Sequence, residues 1–296
     1  MSASRVALVT CGSIPELNDD DHPLLAELWC LGIEAEPAVW DDPAVDWGSY
    51  DAAVIRSAWD YHLTPAAFPA WLARLEALGL PIWNPAPVVR ANLDKSYLKE
   101  LEAAGVKIAP TEWVKRGAAA NLDEILAARG WDDAVVKPAV SAGAFRTSRV
   151  RRGREDGQAA LDDALAHADA MIQPFLPEIE TEGEWSFVFL GGEFSHAVLK
   201  SPRAGDFRVQ QEHGGRTERR EPPPGLLIQA RDAAIAGPRP WLYARVDGVR
   251  RGGELLVVEL ELIEPFLFLS YAPGAAKSFA AAIKARLSNP RPSPRT

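Results

Sequence analysis

The chain has 296 residues, enough for two or three subdomains around a large core, and at 47% hydrophobic and 25% charged its composition is that of a globular protein. Lys and Arg total 32 against 41 Asp and Glu, a formal charge of -9 that leaves no global surface for a nucleic-acid backbone. Two cysteines and five scattered histidines form neither a disulfide framework nor a zinc pattern, and no apolar run approaches the roughly 18 residues of a membrane span, so a soluble, cytoplasmic protein without nucleic-acid or membrane partners is expected.

In chain order, "RVALVTC" (residues 5–11) is a continuous apolar run bounded by turn residues, the pattern of a strand buried on both faces; Cys11 at its end reads as a small buried residue. A helix follows in "DDHPLLAELWCLG", with Asp21 or His22 as cap, Pro23 in the first turn and Gly32 as stop. "YDAAVIRS" is another buried strand ending at Arg56, Thr64-Pro65 opens a helix that runs to Gly79, and "LPIWN" is the next strand. This alternation predicts an open, mostly parallel α/β domain over residues 1–90, with its ligand site beyond the strands' carboxyl ends, where Cys11, Arg56 and Asn84 fall.

Pro85 and Pro87 mark a boundary. After them "NLDKSYLKELEAAG" reads as one amphipathic helix stopped by Gly105. Residues 111–114, 122–128, "DAVVKP", "AFRTSRV", 158–168 and "AMIQPF" then read as strand, helix, two strands, helix and strand, so residues 91–176 are expected to form a linker helix and a small α+β lid. From Glu184 the pattern turns antiparallel. "EWSFVFL" and "EFSHAVLK" flank Gly191-Gly192 as a hairpin, a helix covers 226–236, "WLYARVDGV" and "ELLVVELELI" are joined by "RRGG", and a last helix spans 275–287. These elements form a core over 177–288, and the proline-rich tail 289–296 is expected to be disordered.

The chemistry concentrates where charges interrupt apolar strands. In "VVELELIEP" the residues Glu259, Glu261 and Glu264 lie in a run that otherwise reads as buried, and an unpaired buried carboxylate is costly. Glu259 and Glu261, two apart, leave the same strand face about 7 Å apart. Arg245 and Asp247 likewise share a face of the preceding strand. Asp247, Glu259 and Glu261 together make an oxygen-rich site suited to Mg²⁺; the alternative is an edge strand with its glutamates in water. Lys95, Lys137 and Lys200 stand at element ends. After Lys137 the loop "PAVSAGAF", with Ser141 and Gly143, can bring backbone amides to phosphate oxygens as a hairpin lid, and it is not a P-loop. "IQPFLPEIETEGEW" supplies a proline-bearing link that can meet an adenine edge, with carboxylates for ribose hydroxyls. "RVRRGRE" reads as a solvated charge run.

This order of parts resembles the ATP-grasp superfamily of carboxylate–amine ligases: a lysine on a helix, a lysine before a small-residue loop, a "QPF" hinge, then R-x-D and E-x-E on paired strands. The resemblance covers residues 84–287 and implies an ATP-grasp fold preceded by a substrate domain. It further implies that ATP phosphates meet Lys95, Lys137, Ser141, Gly143 and Lys200, that Gln173, Pro174, Phe175 and Leu176 hold adenine, and that Glu178 or Glu184 meets ribose. Asp247, Glu259 and Glu261 would bind Mg²⁺, and the catalytic set would be Arg245, Lys137 and Arg208. One departure stands out: the usual pattern is E-x-N, and Glu261 replaces the Asn, leaving Glu264 open as a spare ligand.

Within the superfamily, "VWDDPAVDW", "RSAWDYH", "IWNPA", "LKSPRAGDFRVQ" and "VVELELIEPFLFL" resemble the ligases that close O-ureido-D-serine to D-cycloserine. That resemblance implies a small amino-acid-like substrate held by Arg56, Asp60, Tyr61 and His62 from the N-terminal unit and by Phe207, Arg208 and Gln210 from the core, in a possible homodimer. "RSAWDYH" has a structural alternative, a helix-entry turn with Trp59 and Tyr61 packed in the core. Intermolecular amino-acid or peptide ligation is the rival activity. A regulator that binds nucleotide without turnover is the other alternative, against which the complete carboxylate set speaks.

Overall fold

The structure, a computed structural model, describes residues 3–203, 205–206, 208–209 and 214–288; Phe207, Gln210 and the tail 289–296 lie outside the described residues. Three sheets organise the chain. The first comprises β1 (Ser4–Thr10), β2 (Ile33–Val39), β3 (Ala52–Ser57) and β4 (Ile82–Trp83) in the order β2-β1-β3-β4, every pair parallel. Helices α1 (His22–Cys30) and α2 (Ala67–Ala77) connect its strands. β1 and β3 are buried along nearly their whole length, as a doubly covered parallel strand requires. β2, in "IEAEPAV", is absent from the elements expected from sequence. Its Pro37 and exposed Glu34 and Glu36 break the apolar run, and an edge position tolerates both. Asp21 is the residue at the N-cap of α1, yet its carboxylate turns to Arg56 instead of the helix amides; Gly32 at φ +77 ends the turn beyond.

Pro85 and Pro87 start a helix where a boundary was expected: α3 (Ala86–Asn92) has Pro85 at its cap and Pro87 in its first turn. Of the amphipathic helix expected over residues 92–105 only α4 (Tyr97–Ala103) forms, and Lys95 lies in the turn between α3 and α4. Lys95 N–H donates to the Ala139 carbonyl at 2.9 Å, which ties that turn to the second sheet.

That second sheet joins β5 (Glu112–Val114), β6 (Asp133–Pro138), β7 (Ser148–Arg151) and β8 (Ala170–Pro174) in the antiparallel order β5-β8-β6-β7, with α5 (Leu122–Arg129) and α6 (Glu155–His167) packed against it. β7 begins later than "AFRTSRV" suggests, because Ala144 and Arg146 adopt φ of 58 and 53 and turn the chain. The third sheet follows a short helix α7 (Glu178–Thr181) that sequence did not reveal. It contains β9 (Glu184–Leu190), β10 (Glu193–Ser201), β11 (Arg216–Arg219), β12 (Tyr243–Arg251) and β13 (Glu254–Glu261), in the antiparallel order β11-β10-β9-β12-β13. Charged β11, "RTER", has no apolar alternation and was also missed. Helix α8 (Pro224–Ala236) covers one face.

Helix α9 (Ala275–Ser288) returns from the chain's end to lie against α1. Phe279 and Ile283 share one apolar cluster with Val6 and Leu8 of β1, Leu24 and Leu28 of α1, and Val188 and Leu190 of β9. The first and third sheets therefore share a core. Asn84 strengthens that junction: its amide donates to the carbonyls of Tyr243 and Leu262 at 2.9 and 2.7 Å and accepts from Leu242 N–H. Fully buried, it is a structural bridge and not a ligand residue. Cys11 is buried beside Ser13, as a small core residue. Among the described residues no helix is long and apolar enough to cross a membrane.

Candidate active site

A cavity of about 830 Å³ opens where the three sheets meet. Its polar floor is the β12–β13 ladder. Antiparallel register pairs Arg245 with Glu261 and Asp247 with Glu259, so alternation sends all four side chains to one face. Carboxylate oxygens of Asp247, Glu259 and Glu261 lie within 4.8 Å of one another. β13 is indeed an edge strand, but Glu259 and Glu261 face the cavity, their side chains only 27% and 24% exposed.

Cations and hydrogen bonds hold these acids. Arg245 meets Asp247 through Nε at 3.0 Å and Nη2 at 2.8 Å, contacts Glu261, and donates from Nη1 to the Phe266 carbonyl at 3.0 Å. Ser186 Oγ donates to Asp247 at 2.5 Å. Burial pushes the Asp247 carboxyl up, but the charges of Arg245 and Lys200 with these hydrogen bonds outweigh it, and its pKa stands lowered. Burial opposes ionisation of Glu259 too, yet Lys95, 3.2 Å away, and Lys137 hold it below the usual value. Glu261 goes the other way. Burial, with repulsion from Glu259 and Asp247, exceeds the attraction of Arg245 and pushes it up to about 7. Carboxylates that repel in this way fit a divalent cation, which relieves the repulsion.

The three lysines sit in one site but in different states. Lys95 donates to the Ser141 carbonyl at 2.6 Å as well as pairing with Glu259. Lys200 pairs with Glu184 at 2.5 Å and stands 3.6 Å from Asp247; burial pulls it down, but Asp247 and Glu184 leave its pKa raised. Lys137 has no hydrogen-bond or ion-pair partner among the described residues. Desolvation, joined by the charge of Lys95, lowers its pKa despite Glu259 nearby. An unneutralised ammonium in a dry cavity fits a phosphate oxygen.

Other predicted residues divide clearly. Ser141, Gly143, Gln173, Pro174, Leu176, Glu184, Tyr61, His62 and Arg208 line the cavity. Phe175 does not; its ring lies 3.4 Å beneath the Arg149 guanidinium. Of the two acids offered for ribose, Glu184 is in the cavity, whereas Glu178 is outside it, chelated by Arg251 at 2.6 and 2.7 Å. Arg56 is a correction: 1% exposed, it binds Asp21 at 2.9 Å and the Pro265 carbonyl at 2.9 Å, and no part of it reaches the cavity. Asp60 is another, since its carboxylate accepts from Trp40 Nε1 at 2.7 Å and it is not among the cavity residues. Tyr61 packs on Phe68 at 5.0 Å while also lining the cavity. Arg208 is paired with Asp206 at 2.8 Å.

Sequence reasoning missed the apolar and aromatic walls of the cavity: Val135, Ile179, Val258 and Leu260, and Trp59, Phe266 and Phe268. The aromatic run "EPFLFL" carried a signal for the second group only. Glu264 lines the cavity but is not one of the three carboxylates that meet.

Residues 6–84 match the family described as "D-cycloserine synthetase DcsG, N-terminal domain". The "Cycloserine biosynthesis protein DcsG" of Streptomyces lavendulae is 33% identical over 298 residues, spanning 95% of this chain and 98% of that protein. The chain belongs to the DcsG family. A crystal structure of D-cycloserine synthetase DcsG superposes with a TM-score of 0.87 at 32% identity, covering 96% of this chain and all (100%) of the other. The D-alanine–D-alanine ligase of Bacillus anthracis complexed with ATP shares the fold, with a TM-score of 0.70 at 17% identity over 97% of this chain and 98% of that one. This DcsG-family chain is accordingly an ATP-grasp ligase, with the ATP-grasp fold expected from its motifs.

Proposed function

We propose that the chain uses MgATP to activate the carboxylate of O-ureido-D-serine as an acyl-phosphate and directs the substrate's own nitrogen onto it, expelling phosphate and closing the ring, after which one water hydrolyses the carbamoyl unit from that nitrogen as carbon dioxide and ammonia to leave D-cycloserine. The single observation that carries this reading is the meeting of Asp247, Glu259 and Glu261 within 4.8 Å in the same cavity as the unpaired Lys137. The name of the DcsG relatives supports the substrate.

The barrier to activation is repulsion between a carboxylate and a triphosphate. Asp247, Glu259 and Glu261 are the residues that would hold Mg²⁺, which when bound supplies neutralising charge to the phosphates. Lys95 and Lys137 would take phosphate oxygens, Glu184 the ribose hydroxyls, and Gln173, Pro174 and Leu176 with Val135 and Leu260 the adenine. Arg245, held by Asp247 and Glu261 on the cavity wall, would stabilise charge on the acyl-phosphate. The loop at Ser141–Phe145 and the wall of Tyr61 and His62 would exclude water from that intermediate. Ring closure then needs orientation more than a general base, since the nucleophile is neutral and tethered.

The test is phosphate release with ATP, Mg²⁺ and O-ureido-D-serine as sole organic substrate, with mass analysis of the product. A cyclic product without added amine is expected. A strict requirement for a second amine would establish intermolecular ligation instead, and absence of ATP consumption with any acid would leave a nucleotide-binding regulator.

A further inference from the structure

Nearly every charged group on the cavity wall is already committed. Lys95, Lys200, Arg245 and Arg208 each hold a carboxylate. Buried Asp20 spends both oxygens on the N–H groups of Leu269 and Ser270, and Asp19 stands in solvent beside His22. Glu264 differs. It is 8% exposed and lines the cavity, yet among the described residues its carboxyl has no hydrogen-bond or ion-pair partner. Its backbone, by contrast, is fixed: Trp59 Nε1 donates to the Glu264 carbonyl at 3.0 Å. A largely buried carboxyl that no protein group meets, and that lines the cavity, is available to a bound group.

The surroundings decide which group. Trp59 and Phe266 stack at 6.2 Å with 30° between their planes, and Tyr61 and Phe268 extend this aromatic wall. An aromatic wall and a carboxyl in one cavity favour an organic cation and disfavour a phosphate or a second carboxylate. Burial, then the charge of Glu261, raises the Glu264 pKa well above the ordinary value, opposed by Lys95 and Arg245. Glu264 follows Glu261 by three residues and feels its charge, so it stands next to where the substrate carboxylate is activated. In an α-amino acid the ammonium sits on the carbon adjacent to that carboxylate.

The geometry points to Glu264 as the seat of the substrate's α-ammonium group, the residue that selects amino acids over plain carboxylic acids. This deepens the proposed function and rests on it. Binding then gives the unpartnered carboxyl a charge-assisted pair.

The test compares Glu264→Gln with the unaltered enzyme on O-ureido-D-serine and on its analogue lacking the α-amine, with a panel of other amino acids and their des-amino counterparts, read as phosphate release. The seat requires that kcat/KM favour the amine-bearing member in the unaltered enzyme, and that this preference fall about tenfold or more in Glu264→Gln. Mg-ADP affinity, measured by calorimetry, should be the same in both, which shows the variant folded. Equal losses on both members of each pair would make Glu264 merely structural and overturn the seat. If the unaltered enzyme ignores O-ureido-D-serine, the cyclisation reading falls by itself. The seat is then judged on the acids that are turned over, and a panel showing no preference for the amine overturns it.

Discussion

A single lysine and a single glutamate expose how the site's electrostatics are divided. Lys137 has no hydrogen-bond or ion-pair partner among the described residues, and its desolvation outweighs the attraction of Glu259. Lys137→Ala should reduce phosphate release at least about 100-fold, as loss of one preorganised charge donor does, while the melting temperature holds or rises. Glu259→Gln should match that loss of turnover and also keep the fold; full activity in either variant would remove Lys137 and Glu259 from the phosphate and metal sites. Arg56 shows the opposite economy. Its removal strands Asp21, 1% exposed, without its cation. Arg56→Met should cost about 3–5 kcal/mol in urea unfolding, with the KM of surviving folded enzyme unchanged. A raised KM at intact stability would restore Arg56 to the substrate site.

At the scale of elements, the site depends on how strand ends are tied to one another. His196 of β10 places its Nε2 2.9 Å from the Leu267 carbonyl, so this nitrogen carries the hydrogen, and Nδ1 accepts from Ser195 Oγ at 2.9 Å. Leu267 lies between Phe266 and Phe268, two rings of the cavity's aromatic wall. Burial pulls the His196 pKa down to about 4, against a usual 6.5. The unfolded chain therefore binds a proton that the folded one refuses between these values. Stability is full above about pH 6.5 and should fall by up to about 3 kcal/mol as pH drops through about 4. Urea midpoints measured across that range should slope accordingly, and His196→Gln, which keeps a donor, should flatten this part of the slope. An unchanged slope in the variant would show that other groups carry it.

On the scale of the whole molecule, the cavity closes only because the second sheet's loop reaches the first sheet's domain. Phe145 packs between His62 at 4.8 Å and His167 at 5.1 Å, so an aromatic contact bridges the phosphate-side loop and the "RSAWDYH" turn. His62, its pKa lowered chiefly by burial, meets that ring as a neutral imidazole. Phe145→Ala should loosen this closure and admit water to the acyl-phosphate. The expected result is more ADP released than cyclic product formed, where the unaltered enzyme yields them in equal amounts. Coupling that stays tight would place the water barrier elsewhere.

Much of this protein was legible one residue at a time along the chain. Strand periodicity puts Arg245 and Asp247 on one face of their strand, and Glu259 and Glu261 on one face of theirs, because alternation is a local property of extended backbone. Burial of β1, β3, β9 and β12 shows in their apolar runs for the same local reason. Elements whose stability comes from neighbours left no such mark: the edge strands β2 and β11, and the turn between α3 and α4 that presents Lys95. Which charge does what was likewise beyond the sequence. Arg56, Asp60 and Glu178 look like Lys137 and Glu184 as residues near element ends, but pairing with Asp21, Trp40 and Arg251 takes the first three out of the site. Partner choice is a distance between residues far apart in the chain, and only packing sets that distance.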